Sequence, residues 1–320
     1  MIIGIGETVF DIIFKNDKVQ AAVPGGSTFN AVVSVGRTNT PSMMVTETGD
    51  DHVGDIVTDF LRQNNVDTQY VFRHAGTQSH VSLAFLNERN DAQYSFYKHH
   101  GALALPTEMP EFQKGDIVIF GSFYAINPVI RDYTRTFFTK AKAAGAVLYY
   151  DINFRAPHVK DLPHTLDSLL ENISLATVVR GSAEDFQILF GLDNAEEVYL
   201  KHIAPRCPLF IYTNADKPVE LFTPTKHLLF PAKKIETVST IGAGDNFNAG
   251  FCYALHHGNI SSPTALLEAT DEDWTSFIST GQAFSSEVCQ QLGNNISVEF
   301  AENLGKGVSV PRKRGKMKGV

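Results

Sequence analysis

Four short apolar runs constrain this chain more than any other feature: Ile117-Val118-Ile119-Phe120, Val147-Leu148-Tyr149-Tyr150, Thr177-Val178-Val179 and Leu209-Phe210-Ile211-Tyr212. Helical stretches are expected between them, near 129–143, 166–172 and 183–190. Runs too short for helices and apolar on both faces, alternating with helices, predict a mostly parallel sheet between helix layers, an α/β/α sandwich. The first 100 residues are richer in strands. Candidates are 2–5, 8–14, 43–46, 70–72, 79–86 and 92–97, interrupted by helices at 28–37 and near 53–63. Segments of about 10–23 and 68–100 lack crossover helices. They are expected to pair into a small antiparallel sheet projecting as a lid.

The 320 residues accommodate one such domain, expected over 1–310, with a basic tail at 311–320. A net charge of −8 argues against nucleic-acid binding. No stretch approaches the roughly 20 apolar residues that span a bilayer, so no membrane partner is expected. Three widely spaced cysteines, 207, 252 and 289, give neither a disulfide framework nor a zinc site and predict a cytoplasmic setting.

Thr240-Ile241-Gly242-Ala243-Gly244-Asp245 opens a helix with small residues and places a carboxylate on its first turn. Unpaired amides and the helix dipole make such a start a phosphate site, and the acid beside it reads as a general base. The pairing points to phosphoryl transfer onto a hydroxyl. Read alone, it is equally a tight turn with an acidic helix start.

Pro24-Gly25-Gly26-Ser27-Thr28-Phe29-Asn30 is a second glycine-rich entry to a helix. It is either a hairpin-to-helix connection capped by Ser27 or Thr28, or a close approach to a polar ligand with Asn30 as donor and acceptor. Asp11, alone among Val9, Phe10, Ile12, Ile13 and Phe14, would be satisfied by a hydroxyl-rich ligand. Asp151, Asn153 and Arg155 leave a strand end on one side, where ligands collect in parallel sheets. Phe96, Phe123 and Tyr124 are either core packing or apolar walls for such a ligand, and His99-His100 reads as surface.

Together these stretches resemble the ribokinase-like, or PfkB, carbohydrate kinases, from Gly6 to about Gly293. The resemblance rests on Ser239-Thr240-Ile241-Gly242-Ala243-Gly244-Asp245, on Gly25 to Asn30 and on Thr48 to Gly54. It implies ATP as phosphoryl donor, magnesium, a sugar acceptor and a lid that pairs two subunits into a homodimer. It makes Asp245 the base and Gly242, Ala243, Gly244 and the Asp245 amide the anion hole. Asp11, Gly25, Gly26 and Asn30 would hold the sugar, helped by Lys98 of Phe96-Tyr97-Lys98 and by Asn153 and Arg155. Asp151-Ile152-Asn153-Phe154-Arg155 and Phe96-Tyr97-Lys98 resemble the fructokinase and 2-keto-3-deoxygluconate kinase branch and make fructose the first-choice acceptor. Thr213, Thr240, Gly242 and Gly244 would meet the nucleotide, and Glu184 and Asp185 would order magnesium through water.

The chain departs from the family pattern at three places. Ser239 replaces an acid that helps hold a monovalent cation, which leaves such a cation in doubt. Ser182-Ala183-Glu184-Asp185 stands for N-x-x-E. Thr213-Asn214-Ala215-Asp216-Lys217-Pro218 lacks both glycines of its turn. Alternatives are a kinase for ribose, 2-keto-3-deoxygluconate or a nucleoside, and a catalytically idle sugar- or nucleoside-binding protein on the same scaffold.

Overall fold

The computed structural model describes residues 1–88, 92–97 and 108–307. Strand β1 (Ile2–Ile5) leads into a hairpin of β2 (Val9–Lys15) and β3 (Lys18–Gly25). Asn16 and Asp17, both at positive φ, close that hairpin in two residues, a conformation their short polar side chains tolerate. Helix α1 (Ser27–Arg37), β4 (Ser42–Gly49), α2 (His52–Gln63), β5 (Val66–Asp67), β6 (Val71–His74), β7 (Val81–Leu86) and β8 (Ala92–Tyr97) complete the first part. Asp51 caps α2 by accepting from the Gly54 amide at 2.8 Å.

The second part alternates β9 (Ile117–Gly121), α3 (Arg131–Ala143), β10 (Val147–Asp151), α4 (Leu162–Leu175), β11 (Val178–Ser182) and α5 (Ala183–Phe190). A short α6 (Ala195–Val198) precedes β12 (Leu209–Thr213), β13 (Val219–Phe222) and β14 (His227–Phe230). The chain then turns helical: α7 (Ala243–His257), α8 (Pro263–Leu267), α9 (Asp271–Cys289) and α10 (Val298–Gly307).

The large sheet has the order β14-β13-β12-β11-β10-β9-β1-β4-β5, with β6 on the far half of β4. From β12 to β5 and β6 every pairing is parallel, and only the β13–β14 edge runs antiparallel. The apolar runs divide their side chains between two cores. Val118, Phe120, Leu148, Tyr150 and Phe210 pack with α3, α4 and α5. Ile117, Ile119, Val147, Tyr149 and Ile211 pack with α1, α7 and α9. The chain winds outward from β1 in both directions, so the crevice beyond its carboxyl end is where a ligand site belongs.

Two expectations about the lid need correction. Its order is β3-β2-β7-β8, and β2 pairs with β7 in parallel, so the sheet is mixed rather than antiparallel. The segment from 68 to 74 belongs to the body through β6, because Val71 to His74 extend β4. Local alternation marks a strand without naming its partner. Lys98, His99, His100 and the 311–320 tail lie outside the described residues.

Candidate active site

Helices α1 and α7 begin at the same place. Asp245, on the first turn of α7, accepts from Ser27 Oγ at 2.7 Å and from Asn30 Nδ2 at 2.9 Å. One turn on, Ser34 Oγ donates to Asn246 Oδ1 at 2.5 Å, locking the two helices in register. Gly26 starts α1 at φ 128° without any side-chain cap, so Ser27 serves the carboxylate of the other helix instead of its own amides. Asp245 is in no ion pair among the described residues. Burial raises its pKa above the ordinary value, the Asn30 and Ser27 bonds oppose that, Asp151 adds to it and Arg155 subtracts.

Gly242 precedes α7 in the left-handed region at φ 75°, which turns the chain into the helix and packs it against the Asn294 carbonyl. The anion-hole expectation needs one correction. The Ala243 amide donates to the Thr240 carbonyl at 3.2 Å, while those of Gly242, Gly244 and Asp245 have no acceptor among the described residues. The exposed Thr240 thus closes the turn with its main chain. Ser239, at the position of the missing acid, is buried and accepts from the Ile241 amide at 3.2 Å.

Beneath this loop lies Arg180, which sequence reasoning missed. It is 7% exposed, paired to Asp151 at 3.0 Å and bonded to Thr213 Oγ1 at 2.7 Å. Its two Nη atoms stand 3.0 and 3.1 Å from where a Cβ on Gly244 would be. Glycine there lets a fixed cation sit against the start of α7. Burial alone would lower the guanidinium pKa; Asp151 above all reverses this and raises it. Thr213, expected at the nucleotide, is therefore tied to Arg180. Ala215 in the following turn keeps φ at 45°, the left-handed conformation that glycine takes without strain.

The remaining candidate residues come from the small sheet and the strand ends. Asp11 and Ser82 are partners across β2 and β7, and Ser82 and Phe96 across β7 and β8, so all three face the same side. Ser82 Oγ donates to the Asp11 carboxylate. Burial pushes the Asp11 pKa up to about 6; the Ser82 bond opposes this and the charge of Asp245 adds to it. The Asp11 carboxylate occupies the space that a side chain on Gly25 would take, and the Glu7 carbonyl does the same at Gly26.

Asp151, Asn153 and Arg155 do not act together. Asp151 turns inward to Arg180 and to Asn248 Nδ2 at 2.7 Å, an internal ion pair. Asn153, at φ 38°, donates to Ser122 Oγ at 2.6 Å, and Ser122 itself has φ 54°. Two strained residues joined across the ends of β9 and β10 are a mark of a functional edge. Arg155 is exposed and close enough to Asp245 to act on its pKa. Phe123 stacks on His158 at 4.1 Å, and Tyr124 is buried, donating to Glu47 at 3.2 Å.

The magnesium expectation holds poorly at Asp185. Its oxygens accept from the Phe154 amide at 2.7 Å and the Ser182 amide at 2.6 Å, forming a capping box for α5. Glu184 is exposed. No group of three metal-type ligands exists among the described residues.

The family profile of pfkB carbohydrate kinases matches residues 1–301. Probable fructokinase-7 of Arabidopsis thaliana is 28% identical over 272 residues, which are 80% of this chain and 78% of that protein. The aminoimidazole riboside kinase of Salmonella typhimurium is 23% identical over 94% of this chain and 92% of its own. Among solved structures, fructokinase from Vibrio cholerae O395 in its fructose, ADP and calcium ion bound form superposes with a TM-score of 0.78 at 22% identity, covering 93% of this chain and 95% of its own. With nearly the whole chain matched and the same fold, the protein belongs to the pfkB family of carbohydrate kinases and is a sugar kinase.

Proposed function

We propose that the protein transfers the γ-phosphoryl group of ATP to a hydroxyl of fructose, the terminal primary one, with Asp245 as general base. The observation that carries this is the Asp245 carboxylate, held by Ser27 and Asn30 at the mouth of α7 and within electrostatic reach of Asp11. Its raised proton affinity suits a base that takes an alcohol's proton. Negative charge spreading over the transferred oxygens meets the Gly242, Gly244 and Asp245 amides, with Arg180 behind them. Asp11, Gly25, Gly26 and Asn30 line the acceptor side, and the Asp11-Ser82-Phe96 rung of the lid covers it.

Bound magnesium supplies charge neutralisation on the phosphates. Glu184 would be the carboxylate left to reach it through water, since Asp185 serves its helix. Fructose as acceptor is supported by relatives named fructokinase and by the fructose and ADP named for the Vibrio cholerae structure. A riboside is the second acceptor class to assay, given the near full-length match to aminoimidazole riboside kinase. Three buried, unpaired cysteines fit a reducing cytoplasm. The lid's outward face supports a homodimer formed with a second copy of the chain.

The test measures ATP consumption against free sugars and ribosides in magnesium buffer. Fructose-dependent turnover is expected, and Asp245→Asn should reduce it by about 10²–10⁴. Turnover near wild type in Asp245→Asn rejects the base assignment, and turnover with another sugar only rejects fructose.

A further inference from the structure

One buried side chain near the acceptor site has its polar group unused. Asn294, in the segment between α9 and α10, is 4% exposed, and its Oδ1 has no hydrogen-bond partner. No hydrogen bond reaches either end of that amide among the described residues. The backbone, by contrast, is firmly held. The Asn294 carbonyl accepts from Asn246 Nδ2 at 2.8 Å and lies 2.9 Å from where a Cβ on Gly242 would stand. Asn295 Nδ2 donates to the Asn30 carbonyl at 3.1 Å, and the Ile296 amide to Ser34 Oγ at 3.2 Å. The position of residue 294 therefore does not depend on its own side chain.

That side chain points toward the acceptor segment. Its Nδ2 is 3.6 Å from where a Cβ on Gly25 would stand, the point that the Asp11 carboxylate also crowds. Asn30 has a second orphan, its buried Oδ1, while its Nδ2 holds Asp245. The Asp11 carboxylate and the unbonded Asn294 amide thus meet at Gly25, and the orphan Asn30 oxygen lies on the helix that follows it. A buried polar group left without a partner destabilises the fold that holds it. An amide with free donor and acceptor beside a carboxylate suits a hydroxyl, which both gives and takes a hydrogen bond, and a sugar brings several.

We propose that Asn294 is a specificity-determining residue that hydrogen-bonds a hydroxyl of the acceptor sugar other than the one that reacts. This rests on the sugar-kinase reading of the same site. Residue 294 joins the two halves of the reaction: its carbonyl packs on the anion loop, and its amide faces the glycine beside the sugar.

Steady-state kinetics of Asn294→Ala, with the sugar that wild type uses best, tests it. The KM for sugar should rise about tenfold, with the KM for ATP within about twofold of wild type. Asn294→Asp, which sets a third carboxylate beside Asp11 and Asp245, should lose more sugar affinity than the alanine variant. Should Asn294→Ala fail to fold, Asn294→Ser is measured against the same criteria. A sugar KM that changes less than about threefold, or one that rises in step with the KM for ATP, overturns the proposal. Wild-type protein that turns over no sugar sinks the kinase reading and this one with it. Wild-type turnover with an indifferent Asn294→Ala sinks only the role of Asn294.

Discussion

Asp11 shows what a buried carboxylate costs the fold that carries it. Its pKa of about 6 lies above the ordinary carboxylate value because the charge is buried, so the folded state holds the proton more tightly than the unfolded chain. The stabilising contribution is complete below pH ~4 and is lost as pH rises through about 6. The loss amounts to about 2–3 kcal/mol, an upper figure from roughly two pKa units. Asp11→Asn keeps an oxygen for Ser82 and carries no charge. Its melting temperature should gain on wild type between pH 4.5 and 7.5 while sugar affinity falls. A melting difference that stays constant across that range would show that the carboxylate is not strained. At this scale the motifs that hold Asp245, Asn30 and the glycines were legible as helix starts, because each is contiguous in the chain. Ser27, Arg180 and Asn294 were not: their meaning arises where α1, β11 and the 290–296 segment converge on the start of α7. Asp151 misled for the same reason, since its alternation with Asn153 and Arg155 carried no sign of the buried Arg180 awaiting it.

Among the elements, α7, which carries Asp245, packs closely against α9. A Cβ on Gly250 would meet the Thr280 carbonyl at 2.6 Å and Phe284 at 2.8 Å. At Gly281 it would meet the Phe247 ring and carbonyl at 3.0 Å. The two helices touch backbone to backbone through these glycines, and a carbonyl cannot step aside as a flexible side chain can. Gly250→Ala should destabilise by about 1–3 kcal/mol. Because α7 carries Asp245 only five residues earlier, the push should also lower turnover. A thermal melt and a kcat measurement check both effects, and a melting temperature within about one degree of wild type contradicts the close approach. The central strands were readable from composition, being apolar on both faces. Strands β13 and β14 were not expected, because Glu220, His227 and the exposed Leu229 dilute an edge hairpin's signal. The parallel pairing of β2 with β7 was equally hidden, for it joins residues about seventy positions apart.

For the whole molecule, the lid poses the remaining question of assembly. Register places Phe10, Ile12, Phe14, Leu83 and Phe85 on the face opposite Asp11 and Ser82. All five are partly or largely exposed, and Phe14 and Phe85 stack at 5.0 Å. One face of the small sheet carries the polar Asp11 and Ser82 while the other offers water a continuous apolar surface, an arrangement rare in monomers. A second copy presenting the same face would bury it by two-fold symmetry and stiffen the sheet that carries Asp11. Light scattering should therefore give twice the mass of a single chain. Leu83→Lys, at the centre of the face, should halve that mass and raise the KM for sugar, because a loosened lid holds Asp11 and Phe96 less firmly. A wild-type protein that elutes with the mass of one chain at assay concentration removes the dimer and leaves the lid to close alone.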